Sequence, residues 1–198
     1  MHQVRYQLSV SDITAHQLCI AMTFIPDHEH PVILSLPAWI PGSYLIRNFA
    51  KHLLKIIATD TSGPLAVTAL DKHRWQLTHR GLEVRVEYQL YAFDLSVRAC
   101  YINDEVAVVN PAACCLAVEG QQHLPHLLTI LPVTNKPDWE VATGLKRAAT
   151  TTLFEFGDYI ASDYAQLIDS PLFIGRLQKD QFAHAGVVHH LVFAGAVE

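Results

Sequence analysis

Glu83-Val84-Arg85-Val86-Glu87-Tyr88-Gln89-Leu90-Tyr91-Ala92-Phe93 alternates charged or amide side chains with apolar ones. A period of two puts Val84, Val86, Tyr88, Leu90 and Ala92 on one face and Glu83, Arg85, Glu87 and Gln89 on the other. That is the pattern of an antiparallel strand with one face on a core and one in water. His16 to Ile25 repeats it, with Leu18, Ile20, Met22 and Phe24 on one side. Further strand-like runs are Val4 to Val10, Val32 to Leu36, Leu53 to Thr59, Leu65 to Leu70, Arg74 to Thr78, Ala99 to Val109, Leu127 to Leu131, Thr152 to Phe156, Phe173 to Leu177 and Gly186 to Phe193. Turn signals such as Ser62-Gly63-Pro64 and Arg80-Gly81 separate several of them. Many short strands at regular spacing predict an all-β fold, a mostly antiparallel β-sandwich or an extended curved sheet with one or two short helices. A single domain over 1–198 is the simplest parse, and Gly120-Gln121-Gln122 is where the sheet would divide if it has two lobes.

The chain has 198 residues, enough to bury a sizeable core. Hydrophobic residues make up 51% and charged residues only 17%, with a mean hydropathy of +0.19, so some of its surface is expected to meet a partner. No run reaches the roughly 18 apolar residues of a membrane span, and the start lacks the apolar stretch of a signal peptide. A cytoplasmic location without membrane contact is expected. The net charge of −5 and the scattered 14 Lys and Arg residues leave no electrostatic footprint for nucleic acid. Of the four cysteines, Cys114 and Cys115 are adjacent and Cys19 lies in a strand-like run, so reduced, buried thiols are expected rather than a disulfide framework.

Leu36-Pro37-Ala38-Trp39-Ile40-Pro41-Gly42-Ser43-Tyr44-Leu45-Ile46-Arg47-Asn48-Phe49-Ala50 follows no regular period. Pro37 stops a strand, and Pro41-Gly42 pairs a fixed φ with a residue free to take φ > 0, which predicts a sharp corner. Trp39 is expected to fill that corner from inside, against the alternative of a binding role. Ser43 would cap a short helix from Tyr44 to about Leu54.

Twelve histidines invite a metal reading. His28-Glu29-His30 lacks a nearby third ligand in sequence, Pro125 breaks the interval between His123 and His126, and His189-His190 point to opposite faces of a strand. The chain contains no H-E-x-x-H, no G-x-S-x-G and no phosphate-binding glycine loop. Asp94 to Asn103 sets polar side chains among apolar ones. Arg98 there needs a carboxylate or carbonyl partner if buried, and an internal salt bridge to Asp94 or Asp104 would serve. Asn110, held extended by Pro111, is either a turn cap or a group able to donate to and accept from a ligand. Gly157 to Pro171 reads as a capped connection, with Ser162 capping a short helix to Ile168 and Asp163 favouring its positive end.

Pro37-Ala38-Trp39-Ile40-Pro41-Gly42-Ser43-Tyr44, Asp94-Leu95-Ser96-Val97-Arg98 and Leu167-Ile168-Asp169-Ser170-Pro171, with Asp71 to Trp75, occur in an order that resembles the N-terminal domain of the glycyl aminopeptidase family. That family belongs to the gluzincin metallopeptidases, and many members carry a PDZ domain towards the C-terminus. The resemblance covers nearly the whole chain and implies a β domain like the β-saddle of related aminopeptidases, packed on a zinc-bearing catalytic domain. Zinc, its two His and one Glu ligands and the general base would lie in that second domain, so no cofactor, metal or catalytic residue is expected here. The chain would then be an excised or truncated N-terminal domain ending at Gly195-Ala196-Val197-Glu198. In gluzincin aminopeptidases generally the N-terminal domain lends a polar group that holds the free amino end of a peptide substrate. The loop around Asn110 is similar to that place by order, with Arg98 close behind it, although Pro111-Ala112 stands where the family has a Gly-Thr-like continuation.

The resemblance therefore implies an accessory domain, inert by itself, with the catalytic domain of the same polypeptide and a peptide substrate as partners. The alternative is a stand-alone β-sandwich module that binds peptide or carbohydrate through exposed Trp39, Tyr44 and their neighbours. An independent hydrolase has only unpatterned histidines behind it.

Overall fold

In the computed structural model residues 2–96 and 98–194 are described. Val97, within the Asp94 to Asn103 segment, and the terminal Gly195 to Glu198 lie outside the described residues. The fold is all-β. One eight-stranded sheet runs in the order Lys146–Arg147 (β14), Gly157–Ala161 (β15), His126–Ile130 (β12), Val4–Asp12 (β1), Gln17–Phe24 (β2), Val84–Tyr91 (β8), Leu53–Asp60 (β4) and Gly63–Leu65 (β5). Its pairings are antiparallel except β1 with β12, which run parallel from Val4↔His126 to Leu8↔Ile130.

A four-stranded sheet follows the order Glu140–Thr143 (β13), Leu172–Gly175 (β16), Val106–Val109 (β10) and Tyr101–Ile102 (β9), and a second the order Ala117–Val118 (β11), Val32–Ser35 (β3), Arg74–Leu77 (β7) and Val67–Ala69 (β6). Leu177–His184 (β17) and Val187–Ala194 (β18) pair only with each other. The alternation in β8 is realised as expected: Val84, Val86, Tyr88 and Leu90 are buried while Arg85, Glu87 and Tyr91 are exposed. One apolar core joins Tyr6, Ile20 and Val86 of the large sheet to Leu34 and Leu77 of one small sheet and Val109 and Ile174 of the other. Among the described residues no helix is long and apolar enough to cross a membrane.

Several local expectations are corrected. No helix spans Tyr44 to Leu54; only a 3-10 turn, Phe49–His52, forms. Ser43 turns inward, where its hydroxyl donates to the Leu45 carbonyl at 2.9 Å, and the Arg47 N–H crosses the loop to the Ala38 carbonyl at 2.6 Å, so the helical ladder has no start. Trp39 does not fill the corner from inside but is 52% exposed, its indole N–H donating to the Ser43 carbonyl at 2.8 Å. The run Ala99 to Val109 is broken into β9 and β10 because the Asn103 carboxamide oxygen accepts from the Glu105 and Val106 N–H groups at 3.0 and 2.8 Å, a side-chain turn that competes with the ladder. Thr152 to Phe156 is a turn in which Phe154 takes φ +67. The helix Tyr164–Ile168 (α1) is capped by Asp163, not Ser162, through a 2.8 Å bond accepted from the Gln166 N–H.

Candidate functional site

Asn110 follows β10 directly. Pro111 forbids it a helical conformation, so it sits at φ −97 and ψ 113, and its side-chain oxygen accepts from the Ala112 N–H at 3.0 Å to cap the 3-10 turn Pro111–Ala113. Its carbonyl accepts from the Ala113 N–H at 2.9 Å and from the Cys114 and Cys100 thiols at 3.4 and 3.7 Å. The residue is only 6% exposed in this domain. The capping role read from the sequence is therefore realised.

The chain from Pro111 to Leu116 is irregular and buried, so its peptide groups need partners that no strand supplies. Three tyrosines from separate elements provide them. Tyr6 of β1 donates its hydroxyl to the Leu116 carbonyl at 2.7 Å, Tyr88 of β8 accepts from the Leu116 N–H at 3.1 Å, and Tyr164 of α1 donates to the Cys115 carbonyl at 2.7 Å. Burial pushes all three phenols well above their ordinary pKa, aided by the nearby Cys115 thiol, so they remain protonated. The Cys114 thiol is likewise raised, by hydrogen bonding with Cys100 and Cys115 and then by burial. Neutral, enclosed thiols pack rather than act as nucleophiles. His126 lies between Tyr6 and Tyr164, with ring centroids 5.8 and 5.6 Å away, and burial lowers its pKa to about 4 against smaller opposing pulls from the Gln122 backbone and Asp163.

Arg98 reaches a carbonyl, not the acid at Asp94 or Asp104. Its guanidinium donates to the Gly42 oxygen at 2.8 Å, at the point where Gly42 takes φ +77 to turn the corner. Two stretches singled out in the sequence are thereby joined. Cys100, two residues on, touches Asn110 through its thiol, so the corner, the Asp94 to Cys100 loop and the Asn110 cap are linked in series. Around this link the side chains of Trp39, Tyr44, Leu45, Ile46 and Leu95 are exposed, Tyr44 completely. Apolar side chains bared this densely mark a surface that meets something.

Other candidates carry less. His28 has the His30 and His79 rings each 6.2 Å from its own, a grouping the sequence hides because His79 comes from the loop after β7. Several of their nitrogens are engaged locally: His28 Nδ1 and His79 Nε2 both bond the His30 carbonyl, at 2.9 and 2.7 Å, and His79 Nδ1 accepts from the Gly81 N–H at 3.1 Å. Among the described residues no group of three or more His, Cys, Asp or Glu is arranged to hold a metal ion. A cavity of about 290 Å³ on the outer face of the large sheet is lined by Gln7, Ser9, Cys19, Lys55, Arg85 and Glu87, where the Ser9 hydroxyl donates to the Cys19 carbonyl and Arg85 pairs with Glu87.

A family model described as the Peptidase M61 N-terminal domain matches residues 5–176. Among solved structures, an aminopeptidase N family protein from Idiomarina loihiensis is 38% identical and superimposes with a TM-score of 0.93 over 98% of this chain and 32% of its own. An M1 zinc metallopeptidase from Deinococcus radiodurans matches 100% of this chain and 48% of its own at a TM-score of 0.58 and 10% identity. The same protein bound to a Tyr-Ser-Ala substrate gives a TM-score of 0.57. At that identity the likeness is one of fold alone. The chain thus spans about a third of the Idiomarina protein and about half of the Deinococcus one. No curated protein matches it by sequence.

Proposed function

The chain belongs to the Peptidase M61 N-terminal domain family, and on that premise we propose that it is the non-catalytic N-terminal domain of a zinc-dependent aminopeptidase with a preference for glycyl peptides. Zinc, its ligands and the general base would be supplied by a downstream catalytic domain of the same polypeptide, with a PDZ domain beyond it. The four unpaired thiols go with a reducing, cytoplasmic setting. The observation that carries the reading is the Arg98 bond to the Gly42 carbonyl, which fastens the bared apolar corner to the loop that leads to Asn110. In this reading Trp39, Tyr44, Leu45, Ile46 and Leu95 are the seat of the catalytic domain. Asn110, buried in this domain, and Arg98 are joined to that seat through Cys100 and Gly42, and in this reading they would orient the amino end of a peptide. Arg98 acts as a positioning residue, since its hydrogen bond fixes the corner rather than the peptide.

Exposed Trp39 is also what a stand-alone peptide- or carbohydrate-binding module would present. A surface awaiting a second domain leaves the same indole bare, and the family match favours that occupant.

The test is kinetic and uses the full polypeptide. Arg98→Ala, and Asn110→Ser to keep a capping oxygen, should lower the preference for a free over an acetylated amino terminus by roughly tenfold, about 1.4 kcal/mol, when measured well below each variant's melting temperature. Unaltered discrimination in both variants would remove these residues from substrate positioning.

A further inference from the structure

We propose that the cavity on the outer face of the large sheet is a binding site for a small monocarboxylate, held by Lys55 with the carboxamides of Gln7 and Gln89. The site lies within this chain and uses none of the corner residues, so it stands independently of the reading as an accessory domain.

The cavity is a product of strand register. Leu8, Ile20, Val86 and Tyr88 are buried in the core, so the residues that alternate with them point outward. Pairing of β1, β2, β8 and β4 aligns those outward side chains in two rows across the sheet. Gln7, Ala21, Glu87 and Ile57 form one row, and Ser9, Cys19, Gln89 and Lys55 form the next. In both rows β2 contributes a small side chain, Ala21 or Cys19, while β8 contributes a long one, Glu87 or Gln89. Short side chains beside long ones leave a trough along β2, and its volume of about 290 Å³ has room for a small organic acid.

The lining selects the charge of the occupant. Two cations, Lys55 and Arg85, stand against one acid, Glu87, so the trough is positive by one charge in a chain whose net charge is −5. Arg85 spends its Nε and Nη2 on one oxygen of Glu87, at 3.0 and 2.8 Å, and thereby neutralises the acid. Among the described residues the Lys55 ammonium has no ion pair, and the side chains of Lys55, Gln7 and Gln89 make no hydrogen bond within the protein. Three freely turning ammonium donors and two carboxamide N–H₂ groups in one trough form a donor set for a flat anion with two acceptor oxygens. A single uncompensated positive charge matches a monoanion, whereas a second negative charge would meet Glu87. The rest of the ligand would lie against Ala21, Cys19 and Ile57.

Cys19 makes the site testable on the 198-residue chain as it stands, because it is the partly exposed member of four thiols whose other three are buried. Iodoacetate and iodoacetamide alkylate a thiolate by the same displacement of iodide, so the ratio of their rates cancels the thiolate fraction and leaves the effect of the reagent's charge. At Cys19, located by mass spectrometry, that ratio should exceed the value for a small neutral thiol in the same buffer by roughly fivefold, through local enrichment of the anion, and the iodoacetate rate should saturate. Acetate should slow the iodoacetamide reaction, while acetamide, its neutral counterpart in shape, should not. Lys55→Gln, at an exposed position, should leave the melting temperature within about 1 °C, return the ratio to that of the small thiol and abolish protection by acetate. A ratio equal to that of the small thiol, or one unchanged by Lys55→Gln, would overturn the proposal. So would protection by acetamide as strong as that by acetate. Protection by inorganic phosphate as strong as that by acetate would reduce the trough to a patch of positive charge and remove the carboxylate assignment. These readouts involve no peptide hydrolysis, so they remain interpretable if the functional reading fails.

Discussion

His126 is 1% exposed, and no hydrogen bond of ordinary geometry reaches either ring nitrogen. With a pKa of about 4 in the folded chain against an ordinary value of 6.5, the unfolded chain takes up the proton first as pH falls. Stability that is complete above pH 6.5 is therefore lost as the pH drops towards 4, by about 3 kcal/mol in all. Denaturant titrations at pH 7 and pH 4.5 should show that loss, and His126→Phe, which keeps a ring between Tyr6 and Tyr164, should abolish most of it. Asp60, against opposing desolvation, is held below its ordinary pKa by the Ser62 N–H and Arg80, Asp71 by the His73 N–H and Arg74, and Asp138 by Arg176, so their contribution fades only at still lower pH. At Tyr88 the expectation is steric simplicity and electrostatic loss. Tyr88→Phe fits the same space but strands the Leu116 N–H in the core, and should cost about 1–3 kcal/mol in equilibrium unfolding.

Single elements show where sequence patterns reach and where they stop. Strands with a core face and a wet face, such as β1, β2 and β8, were legible from alternation because burial and period coincide. The short strands β11, β13 and β14 were not, since pieces this brief carry no period of their own. β15 was hidden differently: Asp158 looks like part of a polar connection, yet it faces Thr129 across the ladder, whose hydroxyl donates to its carboxylate at 2.6 Å. The cap at Asn110 was legible because it is local. The partner of Arg98 lies at Gly42, and the tyrosines that hold Cys115 and Leu116 come from β1, β8 and α1, so only the folded chain assembles them. Gly175 illustrates a constraint of the same long-range kind. A Cβ there would meet the Glu105 carbonyl oxygen at 2.9 Å in the middle of the β13-β16-β10 pairing. Gly175→Ala should push those strands apart and lower stability by about 1–3 kcal/mol, measurable as a shift in the urea midpoint without a change in slope.

At the scale of the molecule, the domain presents two uncovered surfaces, the corner with Leu95 and the terminal hairpin β17–β18, on a body whose three larger sheets share one core. Part of the surplus apolar composition is bared in those two places, and more of it at scattered positions such as Leu54, Ile57 and Leu70. Both are accounted for if the chain is the first domain of a longer metallopeptidase. The central claim is that this chain lends shape and orientation to chemistry performed elsewhere in the polypeptide. It is tested most directly by measuring hydrolysis of a glycyl peptide, with zinc added, by the 198-residue chain and by the full polypeptide side by side. The account predicts no turnover above background for the shorter chain and zinc-dependent turnover for the longer one. Zinc-dependent turnover by the 198 residues alone would contradict it.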